Sequence, residues 1–212
     1  VLYDLKYEPA TESGLDVNHI ALYDISASVP FVDYDLDAGH LKADLSKLSV
    51  REKCGFDIRT MSAKIDLDTT KIVVEDAVLK TPSSSLRASV NMDWSALTPK
   101  HRGRMNAVLS ADFSREDVLA LAGSYMPESV VKNYPDRLLT AAIELEGNVD
   151  HVDVKSFGVR MPGMIEAYVR GAAGDLVSEG AVAADLDWEI HTQDLSLLKR
   201  VAGLTGVNLP PM

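Results

Sequence analysis

The residue types that most often do chemistry are present in this chain, but not in patterns that chemistry uses. His19, His40, His101, His151 and His191 are scattered, and no two of them stand in the His-x-x-x-His spacing that puts two imidazoles on one helical face to hold a metal. The acids of Asp33-Tyr34-Asp35-Leu36-Asp37 and Asp66-Leu67-Asp68 invite a calcium reading. They lack the central glycine and distal glutamate of a helix–loop–helix calcium site, so the expectation is carboxylates on the wet side of strands. Ser83-Ser84-Ser85 has no flanking nucleophile-elbow glycines and no nearby base, which makes it a turn. Gly171-Ala172-Ala173-Gly174 lacks the Lys-Ser/Thr ending of a phosphate loop and reads as a loop between strands. Cys54 is the sole cysteine, so no intramolecular disulfide can form. Trp94 and Trp188, in similar Met-Asp-Trp and Leu-Asp-Trp settings, read as strand ends that pack. No catalytic residue, metal site or cofactor is expected from these patterns.

Attention therefore moves to the elements. The chain has 212 residues, 46% hydrophobic and 25% charged, enough to bury a core. Its net charge of −11 argues against nucleic acid and anionic membrane surfaces as partners, since phosphate affinity needs an excess of Lys and Arg. No apolar run approaches the ~18 residues of a bilayer span, and no basic–apolar signal opens the chain. It starts in mid-pattern at "VLYDLKYEP" and stops at "LPPM". The expectation is a piece of a longer protein, one continuous β region over 1–212.

Period-two alternation dominates. Ala21, Tyr23, Ile25, Ala27 and Val29 share one parity; so do Met61, Ala63, Ile65 and Leu67, then Leu86, Ala88, Val90, Met92 and Trp94. Met105 to Phe113, Ile143 with Leu145, Ile165 to Val169 and Leu186 to Ile190 follow the same rule. One apolar and one wet face per strand is the mark of an antiparallel sheet. Helical spacing is confined to Ser114–Gly123, with acids after a serine cap, to Glu128–Tyr134 before Pro135, and to Asp194–Gly203.

The chain also repeats. Val74 to Pro82 aligns with Val154 to Pro162 at an offset of 80; one residue is then lost, and Leu86 to Val90 meets Ile165 to Val169. The same offset carries Val118 to Gly123 onto Leu198 to Gly203. Approximate units of 15–123 and 124–209 follow. Such units stack side by side and bury a continuous apolar face. The predicted fold is mainly β: a curved antiparallel meander forming an open trough, built from repeats of about eighty residues, with a few short helices at the rim.

Only the apolar parity can line that trough without burying unpaired charge. The candidate lipid-contacting or core-lining residues are Met61, Ala63, Ile65, Leu86, Ala88, Val90, Met92, Leu109, Ile143, Leu145, Ile165, Val169, Leu186 and Trp188. An aliphatic trough suits phospholipid acyl chains. The unpaired edges of an open sheet invite self-association or capture of client strands by β-augmentation. A carbohydrate-binding β-sandwich would want aromatics clustered on loops, and only 6% of residues are aromatic.

Three segments carry a family resemblance. Ile72-Val73-Val74-Glu75-Asp76-Ala77-Val78-Leu79-Lys80-Thr81-Pro82-Ser83-Ser84-Ser85-Leu86 resembles the repeated strand-and-turn unit of the AsmA-like/TamB family. Phe56 to Ile65 is similar to the strand before that unit, and Ala111 to Val118 to the element leading into its helix. Their order extends the resemblance over about residues 15–209, most of the chain. The resemblance implies a β-taco with an apolar concave face, within a long periplasmic protein tethered to the inner membrane by a segment outside this chain. It also implies phospholipid movement towards the outer membrane and support of outer-membrane assembly and protein secretion with a barrel partner, without catalytic residues. A chaperone-like scaffold in outer-membrane protein assembly is the alternative.

Overall fold

The computed structural model describes residues 2–4, 14–16, 18–97, 103–174 and 183–192. Twelve strands form one antiparallel sheet. They are β1 (Leu2–Asp4), β2 (His19–Ser28), β3 (Phe31–Asp35), β4 (His40–Glu52), β5 (Asp57–Leu67) and β6 (Lys71–Lys80), then β7 (Ser85–Asp93), β8 (Met105–Phe113), β9 (Leu139–Gly147), β10 (His151–Met161), β11 (Ile165–Gly174) and β12 (Ala183–Thr192). Each pairs with its neighbour in sequence, except that β2 and β3 share one side of β4. The break between them falls at Val29-Pro30, where a proline cannot donate to a ladder. The sheet is open: β1 and β12 lie at opposite ends of the strand order.

Helix is sparse, as the sequence predicts. Helix α1 (Arg115–Ala122) starts at Ser114, whose side chain accepts from the Asp117 backbone N–H. A turn of 3-10 helix over Gly123–Tyr125 and the short α2 (Glu128–Lys132) follow, ahead of Pro135. The expected helix over Asp194–Gly203 lies outside the described residues.

Helix α1 is tied to the ends of the strands. The Asp117 carboxylate, buried, accepts from Thr81 Oγ1 at 2.5 Å and from Ser84 Oγ. Thr81 Oγ1 in turn accepts from the backbone N–H groups of Ser83 and Ser84. The serine-rich stretch is thus a hydroxyl-stapled turn between β6 and β7, and the Thr81 and Ser84 hydroxyls seat the helix.

The repeat is visible in the backbone. β5 and β9 end at Leu67 and Gly147, and β6 and β10 begin at Lys71 and His151, both at an offset of 80. The intervening turns match atom for atom. Asp68 Oδ1 accepts from the N–H groups of Thr70 and Lys71, and Asn148 Oδ1 from those of Asp150 and His151. Past the next turn the expected alignment changes. Leu79 pairs with Leu86 and Val159 with Ala167, so β11 has gained one residue relative to β7 rather than lost one. The hairpin before β11 is simply longer, because Met161 and Ile165 pair as an extra rung.

Three further expectations fail. Gly171-Ala172-Ala173-Gly174 is strand, paired residue by residue with Asp185, Leu186 and their neighbours in β12. Small residues in a strand weaken the sequence signal without preventing the ladder. Trp94 does not end β7; it opens a 3-10 turn over Trp94–Leu97, where its Nε1 donates to the Asp68 carbonyl at 2.8 Å. The parity of Ala21 to Val29 breaks at Asp24, whose φ is +52°: Tyr23 pairs with Arg51, while Ala27 pairs with Leu48. An extra residue in a strand exchanges the two faces.

Candidate functional site

Directly paired residues of an antiparallel sheet project to the same face, so the register defines what that face carries. One row runs Ala27, Leu48, Met61, Leu79, Leu86, Ala111, Ala141, Val159, Ala167, Ile190. The next runs Ala77, Ala88, Leu109, Ile143, Phe157, Val169, Trp188. A third runs Ala43, Ile65, Val74, Val90, Ala107, Leu145, Val154, Gly171, Leu186. A fourth runs Leu41, Leu67, Ile72, Met92, Met105, Gly147, Val152, Ala173, Ala184. No side chain in these rows carries a charge. Four rows two residues apart span about 20 Å along the strands, and the strands together about 40 Å across.

Every sequence-predicted lining residue lies on this face. Ala63, beside Leu45, belongs to the second row, and Ile165, beside Met161 and Thr192, sits one rung beyond the first. The sequence reading missed β6 and β10 as contributors of full strands to the face, because simple alternation fails in both. Val74 and Ala77 are three apart, yet both pair with the apolar parity of β7, at Val90 and Ala88. Val154 and Phe157 repeat this against β11 at an offset of 80. A bulge at Glu75-Asp76 and another at Lys155-Ser156 absorb the extra residue, restoring the apolar half of each strand to the correct face. A reversal of parity inside one apolar run was the available signal.

Within the sheet, among the described residues, no strand packs substantially on another strand that is not its neighbour. The buried apolar side chains are mostly alanine, and no large side chain is fully buried. Ala63 and Ala77 are buried and Val90, Leu145 and Met92 half-buried, while the lateral ends open further, Trp188 reaching 67% exposure.

The opposite face is laced with cross-strand ion pairs: Lys42–Asp66, Lys64–Asp76, Arg160–Glu166 and Arg170–Asp187. This explains the acid clusters. Asp33 pairs in register with Lys42, and Asp66 bonds His40 at 2.6 Å, a bond that holds its carboxyl below the usual range. No group of three or more potential metal ligands comes together among the described residues. Burial and the neighbouring Glu52 push the Cys54 thiol up to about 11, which makes it a poor nucleophile at neutral pH. No described helix is long and apolar enough to cross a membrane. No family model, curated protein or solved structure matches the chain.

Proposed function

We propose that the chain is a non-enzymatic conduit segment whose apolar face carries phospholipid acyl chains, in a periplasmic protein of the AsmA-like/TamB kind. The carrying observation is the set of four uncharged rows crossing the open sheet. Burial of methylenes on such a face gains about 0.8 kcal/mol per CH₂ removed from water, and nothing along the rows fixes a lipid at one place. The sheet axis gives a direction of travel, from strand to strand. On this reading the partner at the outer membrane, a barrel protein, is engaged elsewhere in the full-length protein.

The test is photo-crosslinking combined with native mass spectrometry of the purified chain. Photoreactive residues at Val90 and Leu145 should capture phospholipid, whereas the same residues at Ser89 and Asn91 should not. Val90→Asp should abolish capture at Leu145, through the desolvation cost of a carboxylate beside an acyl chain. Capture from the Ser89 and Asn91 positions instead would overturn the reading.

A second reading, a chaperone-like scaffold acting by β-augmentation, is favoured by the sheet ends. β2 and β3 expose Tyr23, Ile25, Phe31, Val32 and Tyr34, and β12 exposes Leu186, Trp188 and Ile190. Peptide strands rather than lipid would then co-purify.

A further inference from the structure

A cleft of about 830 Å³ opens at the C-terminal strands, lined mostly by residues of the charged face, with Phe157, Val169 and Trp188 of the second row also bordering it. That volume is in the range of small-molecule sites. Its floor is made by the register row Ala142, Gly158, Tyr168. Two small residues in succession leave room, and the Tyr168 ring leans over the Gly158 backbone, so that a Cβ built there would stand 3.4 Å from the ring. The ring remains 48% exposed.

The repeat shows that the scaffold does not need this arrangement. The structurally equivalent row of the first unit is Ser62, Val78, Arg87. A β-branched residue and a flexible cation stand where the second unit has a glycine and an aromatic platform. The bulge beside it has also changed, from Glu75-Asp76 to Lys155-Ser156.

The charges around the cleft select its ligand. Arg170 Nε lies 3.6 Å from Asp187, and Lys155 Nζ lies 3.3 Å from Glu146 and 3.6 Å from Asp153. Each cation is already balanced by a carboxylate, so a phosphate would displace a partner and a cationic ligand would meet Arg170 and Lys155. A neutral molecule rich in hydroxyls can accept from the guanidinium and donate to the carboxylate without breaking the pair, while its C–H face rests on the electron-rich ring. We propose that this cleft binds a neutral carbohydrate, a sugar ring stacking on Tyr168 with its hydroxyls on the Arg170–Asp187 pair. The site is independent of the lipid reading, and either can fail alone.

Trp188 belongs to the second apolar row, on the face opposite Tyr168, so binding is followed by isothermal titration calorimetry. The chain is titrated with two neutral probes, the β-1,4-linked trimers of glucose and of N-acetylglucosamine. Inorganic phosphate and tetramethylammonium serve as charged controls. A saturable change with at least one trimer and with neither ion is expected. Tyr168→Ala should weaken it at least about tenfold. Gly158→Val, which installs the first unit's Val78, should abolish it with unchanged melting. No response to either trimer, a response confined to the ions, or an undiminished response in Tyr168→Ala overturns the proposal. If Gly158→Val alone fails to fold, the Tyr168→Ala result decides.

Discussion

Asp68 shows how one side chain can set a turn. Hydrogen bonds from the Thr70 hydroxyl and from the Thr70 and Lys71 backbone N–H groups pull its pKa down to about 2, from 3.8. A carboxylate with a depressed folded-state pKa contributes stability that is fully present above its unfolded value and is lost as pH falls through the folded one. The turn should therefore hold near pH 4 and loosen towards pH 2. Trp94 reports it, because its indole N–H donates to the Asp68 carbonyl. In a Trp188→Phe background, Trp94 emission should shift between those pH values. Asp68→Asn, which copies Asn148 of the second unit and cannot titrate, should flatten that response. A shift of equal size in the variant would mean another group controls it.

At the scale of elements, the bulges decide which face each strand half presents. Asp24 and Asp76 both adopt φ of +52°, and each pairs with a base on a neighbouring strand, Arg51 and Lys64. Aspartate tolerates the left-handed region far better than a β-branched residue does. Asp76→Val should cost about 1–2 kcal/mol in urea unfolding, and Asp76→Gly far less. Equal costs would show that the ion pair, not the backbone, matters there. The two lateral edges differ for related reasons. The β2–β3 edge is broken by Pro30 and the Asp24 bulge, both devices that blunt strand pairing, while β12 pairs with β11 without an irregularity. Self-association should therefore run through β12. Leu186→Lys with Ile190→Lys should remove concentration-dependent mass growth in sedimentation velocity, and wild-type chain that stays monomeric throughout would refute edge pairing.

For the whole molecule, the consequence of a single open sheet is one broad face of four uncharged rows. Exposed patches of this size mark binding surfaces. The native chain should enhance the emission of a hydrophobic dye such as anilinonaphthalene sulfonate before any thermal transition. Short-chain phosphatidylcholine should quench that signal and raise the Tm, because a ligand that binds only the folded state stabilises it. A native chain that leaves the dye dark, at monomer mass, would show the face to be covered.

Local pattern determined much of this protein. Alternation in β5, β7, β8 and β9 assigns Met61, Val90, Leu109 and Leu145 to one face because a strand's side chains alternate with period two. The capped helix at Ser114 and the offset of 80 were equally legible. What only the tertiary structure decided lies where pairing overrides alternation. Extra residues at Asp24, Glu75-Asp76 and Lys155-Ser156 are resolved only by partner strands, which choose the face that buries apolar rather than charged side chains. The strand over Gly171–Gly174 exists because β10 and β12 pair with it on either side, not because its residues favour it. The Tyr168 cleft joins residues from β9, β10, β11 and β12. Their meeting depends on cross-strand register, a quantity that no local window of sequence contains.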